Sequence, residues 1–112
     1  MRADAPLAAH VAESAVVKAI VTELELRGAL VYNQHGSAYT GRGRPDLLGV
    51  LPGGRAFAFE VKRPGESDSG LGLRQRRELW AWASRGALTL AGVDDVKTVR
   101  AALDSAGVLH SE

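Results

Sequence analysis

The sequence predicts one small α/β domain with its elements in the order α-β-β-β-α-β-α. Three segments repeat apolar residues at intervals of three and four, which is typical of amphipathic helices. Four short β-prone runs are bounded by glycine, proline or polar residues, as strands usually are. The chain has 112 residues, 46% of them apolar. This length is sufficient for one hydrophobic core but short for two domains. We therefore treat residues 1–112 as a single domain.

The first helix is predicted over residues 10–27, after a loose lead-in at residues 1–9. The apolar residues at helical spacing are Val16, Val17, Ile20, Val21 and Leu24. Gly28 follows them, at the position where helices often end in a left-handed residue. Residues 29–33 form a short β-prone run, and residues 34–44 form a polar, glycine-rich loop.

The remaining elements follow from turn signals and spacing. A hairpin is predicted with strands at residues 46–51 and 55–62, joined by the Pro-Gly-Gly turn between them. The later elements are a helix at residues 73–85, a strand at 87–93 and a helix from Asp94 or Asp95 to about Ala106. The helix residues available for packing are Leu79, Trp80, Ala83, Val96, Val99 and Leu103.

The second strand of the hairpin separates an apolar face from a charged one, because side chains alternate along a strand. The apolar face holds Phe57, Phe59 and Val61 and belongs against the core. The opposite face holds Ala58, Glu60 and Lys62. Asp46 opens the first strand behind Pro45, which suits a strand entrance because it cannot donate to the sheet. Folding of the hairpin can bring Asp46 toward Glu60.

Two carboxylates beside a lysine predict a divalent-metal site. Carboxylates with few other ligands select hard cations such as Mg²⁺ or Mn²⁺. We expect Asp46, Glu60 and the main-chain carbonyl of Val61 to be ligands. Lys62 could orient or deprotonate an attacking water, or stabilise charge on a phosphate. Together these groups suggest phosphodiester hydrolysis.

The predicted first helix contains three glutamates. Glu13 extends the apolar stripe of this helix toward its N-terminal end, whereas Glu23 and Glu25 lie off that stripe. An acid near a helix start is most simply explained by the helix dipole and solvent. The hairpin chemistry adds a second interpretation, in which Glu13 completes the metal shell through water or a second ion.

The charge distribution favours a nucleic-acid partner. The net charge is only +1, but residues 42–77 contain eight basic and four acidic residues. Seven of the eight are arginine, whose planar fork suits phosphate contacts. Scattered arginines more often form a solvated surface; here they flank the carboxylates. The residues expected to contact nucleic acid are Arg42, Arg44, Arg63 and Arg74.

The alternative interpretation of the hairpin is an exposed glutamate–lysine pair on an edge strand, which is common and contributes little to stability. The combined pattern is considerably more specific than Glu-x-Lys alone. It has Pro-Asp on one strand and Glu-x-Lys on the next, and glycines precede each strand. The site interpretation is therefore favoured.

These motifs also resemble a known family. P-D at 45–46 followed by E-V-K at 60–62 resembles the PD-(D/E)XK nuclease superfamily. The longer strings G-R-P-D-L-L-G-V and F-E-V-K-R-P-G, followed by Gln75, resemble its VRR-NUC family. The order of elements agrees over roughly residues 10–103. A chain of this length resembles the stand-alone members found in phages and bacteria.

The resemblance implies a restriction-endonuclease-like core, with a mixed central sheet and flanking helices. By resemblance the site residues are Glu13, Asp46 and Glu60 as metal-site acids, Lys62 as catalytic lysine and Gln75 as the glutamine behind the site. It also implies metal-dependent DNA cleavage by a homodimer acting on branched DNA such as four-way junctions. The chain departs from the family pattern before Gln75, where E-S-D-S-G-L-G-L-R replaces a shorter Gly-Gly-x-Leu-Ser stretch. The alignment of Gln75 with the family's glutamine is therefore less secure than that of the other four site residues.

Two other functions are compatible with the sequence. One is a DNA-binding module with a nuclease fold and little catalysis, which the complete acid-acid-lysine set disfavours. The other is a metal-independent RNA endonuclease that relies on His and Tyr near the loop, such as His35 and Tyr39. His10 and His35 lack an evident partner and are expected to face solvent, whereas Tyr32 is expected to pack.

Trp80 and Trp82 are two residues apart on a helix and cannot share one face. One is expected in the core, and the other is expected to be exposed and to suit a dimer interface, which substitution of Trp82 would test. The chain has no cysteine, no apolar run of membrane-spanning length and no signal-peptide pattern. We therefore expect a cytoplasmic protein, in the host cytoplasm if it is phage-encoded.

Overall fold

The computed structural model describes residues 5–34, 44–65 and 71–110, and in the first helix it describes side chains from Glu13 onward. The described elements follow the predicted order. They are α1 (Ala5–Leu26), β1 (Leu30–Asn33), β2 (Leu47–Val50), β3 (Ala56–Val61), α2 (Leu73–Ala83), β4 (Leu88–Val93) and α3 (Val96–Ser105). Among the described helices, none is long and apolar enough to cross a membrane.

The four strands form one mixed sheet in the order β1-β2-β3-β4. β1 pairs antiparallel with β2, β2 pairs antiparallel with β3, and β3 pairs parallel with β4. The parallel pair needs a crossover connection, which α2 provides. β3 is therefore a central strand with a neighbour on each side, which excludes the edge-strand interpretation of Glu60 and Lys62.

The two faces of the sheet are covered by different helices. α1 packs against β1, β3 and α3, whereas α2 packs against β3 and β4. The apolar face of β3 lies on the α1 side, in a cluster that includes Phe57, Phe59 and Val61 together with Ile20 and Val99. The predicted alternation is confirmed. The charged face is also covered, because α2 lies over β3, and Ala58 is fully buried.

α1 begins at Ala5, five residues before the predicted start, so the loose lead-in assigned to residues 1–9 is wrong from residue 5 onward. Proline at position 6 is compatible with a first helical turn, where its missing N–H would have no partner, and the alanines that follow favour helix. Glu13 consequently lies in the third turn. The attraction between an acid and a helix N-terminus does not account for it there, because that effect fades after the first turn.

Tyr32 is exposed, so the prediction that it packs is wrong. β1 is an edge strand, and on the face that carries Tyr32 the helix α2 packs mainly against β3 and β4. Leu30 and Val50 are exposed on the same uncovered area, since they pair with each other across β1 and β2.

Glu23 is buried, with 3% of its surface exposed, although it was predicted to lie off the apolar stripe. Arg27 donates from Nε to Oε2 of Glu23 at 2.7 Å, and Arg100 of α3 donates to Oε1 at 3.0 Å. His110 Nε2 lies 2.8 Å from Oε2 of Glu23. Arg27 also donates to Asp104 at 2.6 Å. This network joins α1 to α3 and to the segment after α3.

The network lowers the pKa of Glu23. Burial alone would raise that pKa, but the hydrogen bonds from Arg27, Arg100 and His110 outweigh it and lower the pKa to about 2. A carboxylate held in its charged form stabilises the fold above its unfolded pKa, and the stabilisation is lost as pH falls toward the folded pKa.

We expect the wild-type protein to lose about 3 kcal/mol of unfolding free energy through Glu23 as pH falls from about 4.5 to 2. Glu23→Gln should lack this component, so its deficit relative to wild type should shrink as pH falls. Urea unfolding at several pH values measures the difference. Glu25→Gln, at an exposed position on the same helix, is the matched control. A constant deficit for Glu23→Gln across this pH range would contradict the assignment.

Gly49 in β2 is required by close packing. A Cβ at this position would collide with the carbonyl oxygen of Leu30 and would lie 2.9 Å from Cε2 of Phe57. β1 and the Phe57 ring thus approach the β2 backbone too closely for any side chain. Gly49 therefore allows the edge strand β1 to pack closely against β2.

We expect Gly49→Ala to destabilise the protein by about 3 kcal/mol, since a backbone carbonyl and a buried ring must move. Gly72→Ala is the matched control, because a Cβ there would meet only Oε1 of Gln75, at 3.8 Å. Its effect should stay within about 1 kcal/mol, since alanine fits the extended backbone of Gly72 but is a poorer N-cap than glycine. Chemical denaturation of both variants measures the contrast, and equal effects would refute the packing argument.

Candidate active site

The register of the hairpin places Asp46 and Glu60 side by side. Leu47 pairs with Phe59 in the antiparallel β2–β3 ladder, so the next pair outward is Asp46 and Glu60. Asp46 is further fixed by a hydrogen bond from the Val61 N–H to its Oδ2, at 2.9 Å. The two carboxylates meet as the hairpin pattern predicted.

Glu60 lies near the carboxyl end of the central strand and is 6% exposed. Gln75, in the first turn of α2, donates from Nε2 to Oε2 of Glu60 at 2.6 Å. Oε1 of Gln75 accepts from the Gly72 N–H at 3.0 Å. The glutamine thus links the start of α2 to the buried carboxylate. The long loop before it does not displace it from the site.

The second oxygen of Glu60 has no hydrogen-bond partner. Within the described part of the chain, Oε1 of Glu60 is the buried side-chain polar atom left unpaired. A buried charged oxygen without a partner is costly, and such an atom in a native fold calls for a proton, an ion or water. The donor set around it is made of oxygens, which suits a hard divalent cation.

The electrostatics of the pair point the same way. Burial raises the pKa of Glu60, the neighbouring charge of Asp46 raises it further, and Lys62 partly opposes them, giving a pKa of about 7. A pair of adjacent carboxylates near neutral pH holds either a shared proton or a cation. Strongly shifted acids of this kind are commoner at functional sites than elsewhere.

A bulge in β4 lies beside the site. Glu60 pairs with Ala91 and Val61 with Val93, so Gly92 is the extra residue, with φ of 81°. The Lys62 N–H then donates to the carbonyl of Val93 at 2.8 Å. Bulges redirect the strand next to them and are frequent near active sites. Here the bulge fixes the backbone of Lys62 as it leaves β3.

Three of the four arginines assigned to DNA adjoin the site residues in the chain. Arg44 precedes Pro45 and is exposed, Arg63 follows Lys62 and is half-buried, and Arg74 is exposed in the first turn of α2. The turn after Arg63 is fastened by a hydrogen bond from the Gly65 N–H to Asp94, at 2.9 Å. Arg42, His35 and Tyr39 lie outside the described residues, as does the side chain of His10.

Glu13 is partly exposed on α1, across the sheet from α2. The charges that set the pKa of Glu60 come from Asp46 and Lys62. Among the described residues, no three His, Cys, Asp or Glu side chains are arranged to hold a metal ion. The described site is therefore a pair of acids, and the role of Glu13 as a third ligand stays a prediction.

Gln34 is a residue of this region that the sequence did not single out. Its N–H donates to the carbonyl of Asp46 at 2.7 Å, and the β1–β2 register continues through these two residues. Gln34 is thus the neighbour of Asp46 on the side away from Glu60. No local pattern marks it, because its position depends on the pairing of β1 with β2.

We expect metal-free Glu60→Gln to be more stable than wild type at pH 8, by up to about 3 kcal/mol. Between pH 4.5 and 7 the unfolded wild-type chain releases a proton that the folded chain retains, so its unfolding free energy falls as pH rises. The amide variant has no such loss and can donate to Asp46. Thermal or urea unfolding in EDTA at pH 4 and pH 8 measures the difference. A variant less stable than wild type at pH 8 would be the contrary result.

Neither a protein-family model nor a curated protein matches the chain. A solved structure described as a "VRR_NUC domain" does match, with 32% sequence identity and a TM-score of 0.65. The match covers 82% of this chain and 94% of that one. The similarity therefore extends over nearly the whole of the solved domain and includes sequence as well as fold.

Proposed function

Because the chain belongs to the VRR-NUC family of nucleases, we propose that it is a metal-dependent endodeoxyribonuclease that hydrolyses phosphodiester bonds at Asp46 and Glu60. The observation that carries this proposal is the buried carboxylate of Glu60. One of its oxygens is held by Gln75, and the other is unpaired beside a second carboxylate. A hard cation satisfies both the unpaired oxygen and the repulsion between the two acids.

Asp46, Glu60 and the main-chain carbonyl of Val61 would hold Mg²⁺ or Mn²⁺, with Glu13 acting through water or a second ion. When bound, such an ion polarises a phosphoryl oxygen and lowers the pKa of a water molecule. Neighbouring groups of the protein hold the two carboxylates in place. The Val61 N–H fixes Asp46, and Gln75 fixes Glu60.

Lys62 is the proposed catalytic lysine. It follows Glu60 by two residues and favours the charged form of that carboxylate. Its ammonium group is suited to stabilise the charge that grows on the phosphate in the transition state. It could alternatively orient or deprotonate the attacking water. The pH dependence of cutting separates deprotonation of the water from the other roles, since only a general base requires a neutral amine.

DNA is the proposed partner, bound through Arg44, Arg63 and Arg74, with Arg42 as a further contact. We further propose a homodimer acting on branched DNA such as a four-way junction. A two-fold dimer can hold two active sites at a fixed separation. The uncovered apolar area at Leu30 is a surface that a second copy could bury, since large exposed apolar patches often mark interfaces.

The proposal is tested by incubating the protein with linear duplex and four-way-junction DNA in Mg²⁺, Mn²⁺ or EDTA. We expect cutting in either metal and none in EDTA. Lys62→Ala should reduce the rate by about 10²- to 10⁴-fold, the usual cost of a lost acid–base or charge-stabilising group. Lys97→Ala, at an exposed lysine of α3, is the matched control and should cut normally.

The other outcomes identify the alternatives. Binding of DNA without cutting would indicate a DNA-binding module, and cutting of RNA in EDTA would indicate a metal-independent ribonuclease. The ion itself is tested by thermal unfolding, since a ligand that binds only the folded state raises its stability. Mg²⁺ should stabilise wild type but not Glu60→Gln. A loss of this stabilisation in Glu13→Gln would assign Glu13 to the site.

A further inference from the structure

α2 presents two different faces. Gln75 and Leu79 point toward the sheet, since Gln75 binds Glu60 and Leu79 is buried. Trp82, on the same side, is half-buried, and its Nε1 donates to Glu78 at 3.1 Å. Of the two tryptophans, Trp80 is therefore the exposed one, so the packing assigned to Trp80 is wrong and an interface test directed at Trp82 addresses the wrong residue.

The outward face carries a stripe defined by Leu73, Arg76, Arg77 and Trp80. These four residues are spaced i, i+3, i+4 and i+7, so they lie together on one side of the helix. Leu73 is 64% exposed and Trp80 is 70% exposed, and both arginines are exposed. Within the described part of the chain, neither guanidinium forms a hydrogen bond or ion pair. The stripe is two guanidinium groups between two apolar side chains.

We propose that this outward stripe binds an unpaired nucleotide of the DNA substrate, with the base stacked on Trp80 and its phosphates bound by Arg76 and Arg77. The inference rests on the proposed function, because it takes DNA as the substrate. Aromatic side chains beside cationic groups are the usual means of binding single-stranded nucleic acid. A base inside a duplex is stacked on both faces and is not free to contact the indole, so the stripe selects DNA with unpaired nucleotides.

Charge favours a nucleic acid over a second copy of this chain. A two-fold interface centred on the stripe would place Arg76 and Arg77 opposite their own copies. Like charges facing each other across an interface are unfavourable, whereas a phosphate backbone neutralises both guanidinium groups. The apolar area at Leu30, which lacks arginine neighbours in its strands, remains the better surface for a dimer.

The position of the stripe connects it to the active site. Gln75, which holds the Glu60 carboxylate, belongs to the same helix as Trp80. The two residues are five positions apart, or about 7.5 Å along the helix axis. Because Gln75 faces inward and Trp80 faces outward, the width of α2, about 10 Å, also separates the stripe from the carboxylate pair. A strand that reaches both sites passes around the helix, so the stripe would direct cutting to DNA in which unpaired nucleotides lie near the scissile bond.

The two tryptophans allow a direct test, because the chain has no others. Trp82→Phe leaves Trp80 as the single indole, and Trp80→Phe leaves Trp82. Each variant is titrated in EDTA, where no cutting occurs, with three DNAs: a single strand, a duplex carrying a single-stranded flap, and a blunt duplex. We expect the single strand and the flap to quench Trp80 fluorescence, the blunt duplex to leave it unchanged, and Trp82 to respond to none of them.

Affinity provides the second measurement. Trp80→Ala should bind the flap DNA roughly tenfold or more weakly, as expected for a lost base–aromatic contact, and the blunt duplex as well as wild type does. Arg77→Gln should weaken binding to the single strand and the flap and lower the salt dependence by about one phosphate contact. Circular dichroism confirms that these surface variants remain folded.

Three results would overturn the inference. The first is no quenching of Trp80, or equal quenching by the blunt duplex. The second is unchanged flap affinity in Trp80→Ala. The third is a change in the oligomeric mass of Trp80→Ala with DNA affinity unchanged, which would assign the stripe to a second copy. Failure of the proposed function is distinguishable, because quenching in EDTA does not require cutting.

Discussion

The pairing of two carboxylates at the end of the central strand is the constraint on which the site depends. Glu60 lies in a strand covered on both faces, and the antiparallel register brings Asp46 beside it. Burial and mutual repulsion raise the pKa of Glu60 to about 7. The ionised form therefore destabilises the metal-free fold by about 3 kcal/mol, which the rest of the core must offset.

The second buried carboxylate, Glu23, has its pKa shifted in the opposite direction. Glu23 accepts hydrogen bonds from Arg27, Arg100 and His110, and its pKa falls to about 2. Both groups are almost fully buried, so burial alone does not decide the outcome. The difference comes from the neighbours, since Glu23 is surrounded by cationic groups and Glu60 faces another acid. Glu23 is thereby a structural group that joins two helices, whereas Glu60 keeps one buried oxygen without a hydrogen-bond partner.

α2 connects these features because its two faces serve different purposes. Its inward face supplies Gln75 to the buried carboxylate and Leu79 to the packing against the sheet. Its outward face exposes Trp80 beside two arginines. The same helix also forms the crossover that makes β3 and β4 parallel, which keeps β3 central. A change in the position of α2 would therefore affect the burial of Glu60 and the exposure of the outward stripe together.

The sequence by itself determined the order of the elements, the two faces of β3 and the meeting of Asp46 with Glu60 in the hairpin. These follow from local periodicity, turn residues and the spacing of the hairpin, and the family that the motifs resemble is confirmed for the chain. Tertiary structure alone decided that β3 is central, that Glu60 is buried against Gln75, and that Trp80 faces outward. The bonds from Arg100 and His110 to Glu23 span 77 and 87 residues. Such contacts depend on how helices and strands pack, and local spacing carries no information about that packing.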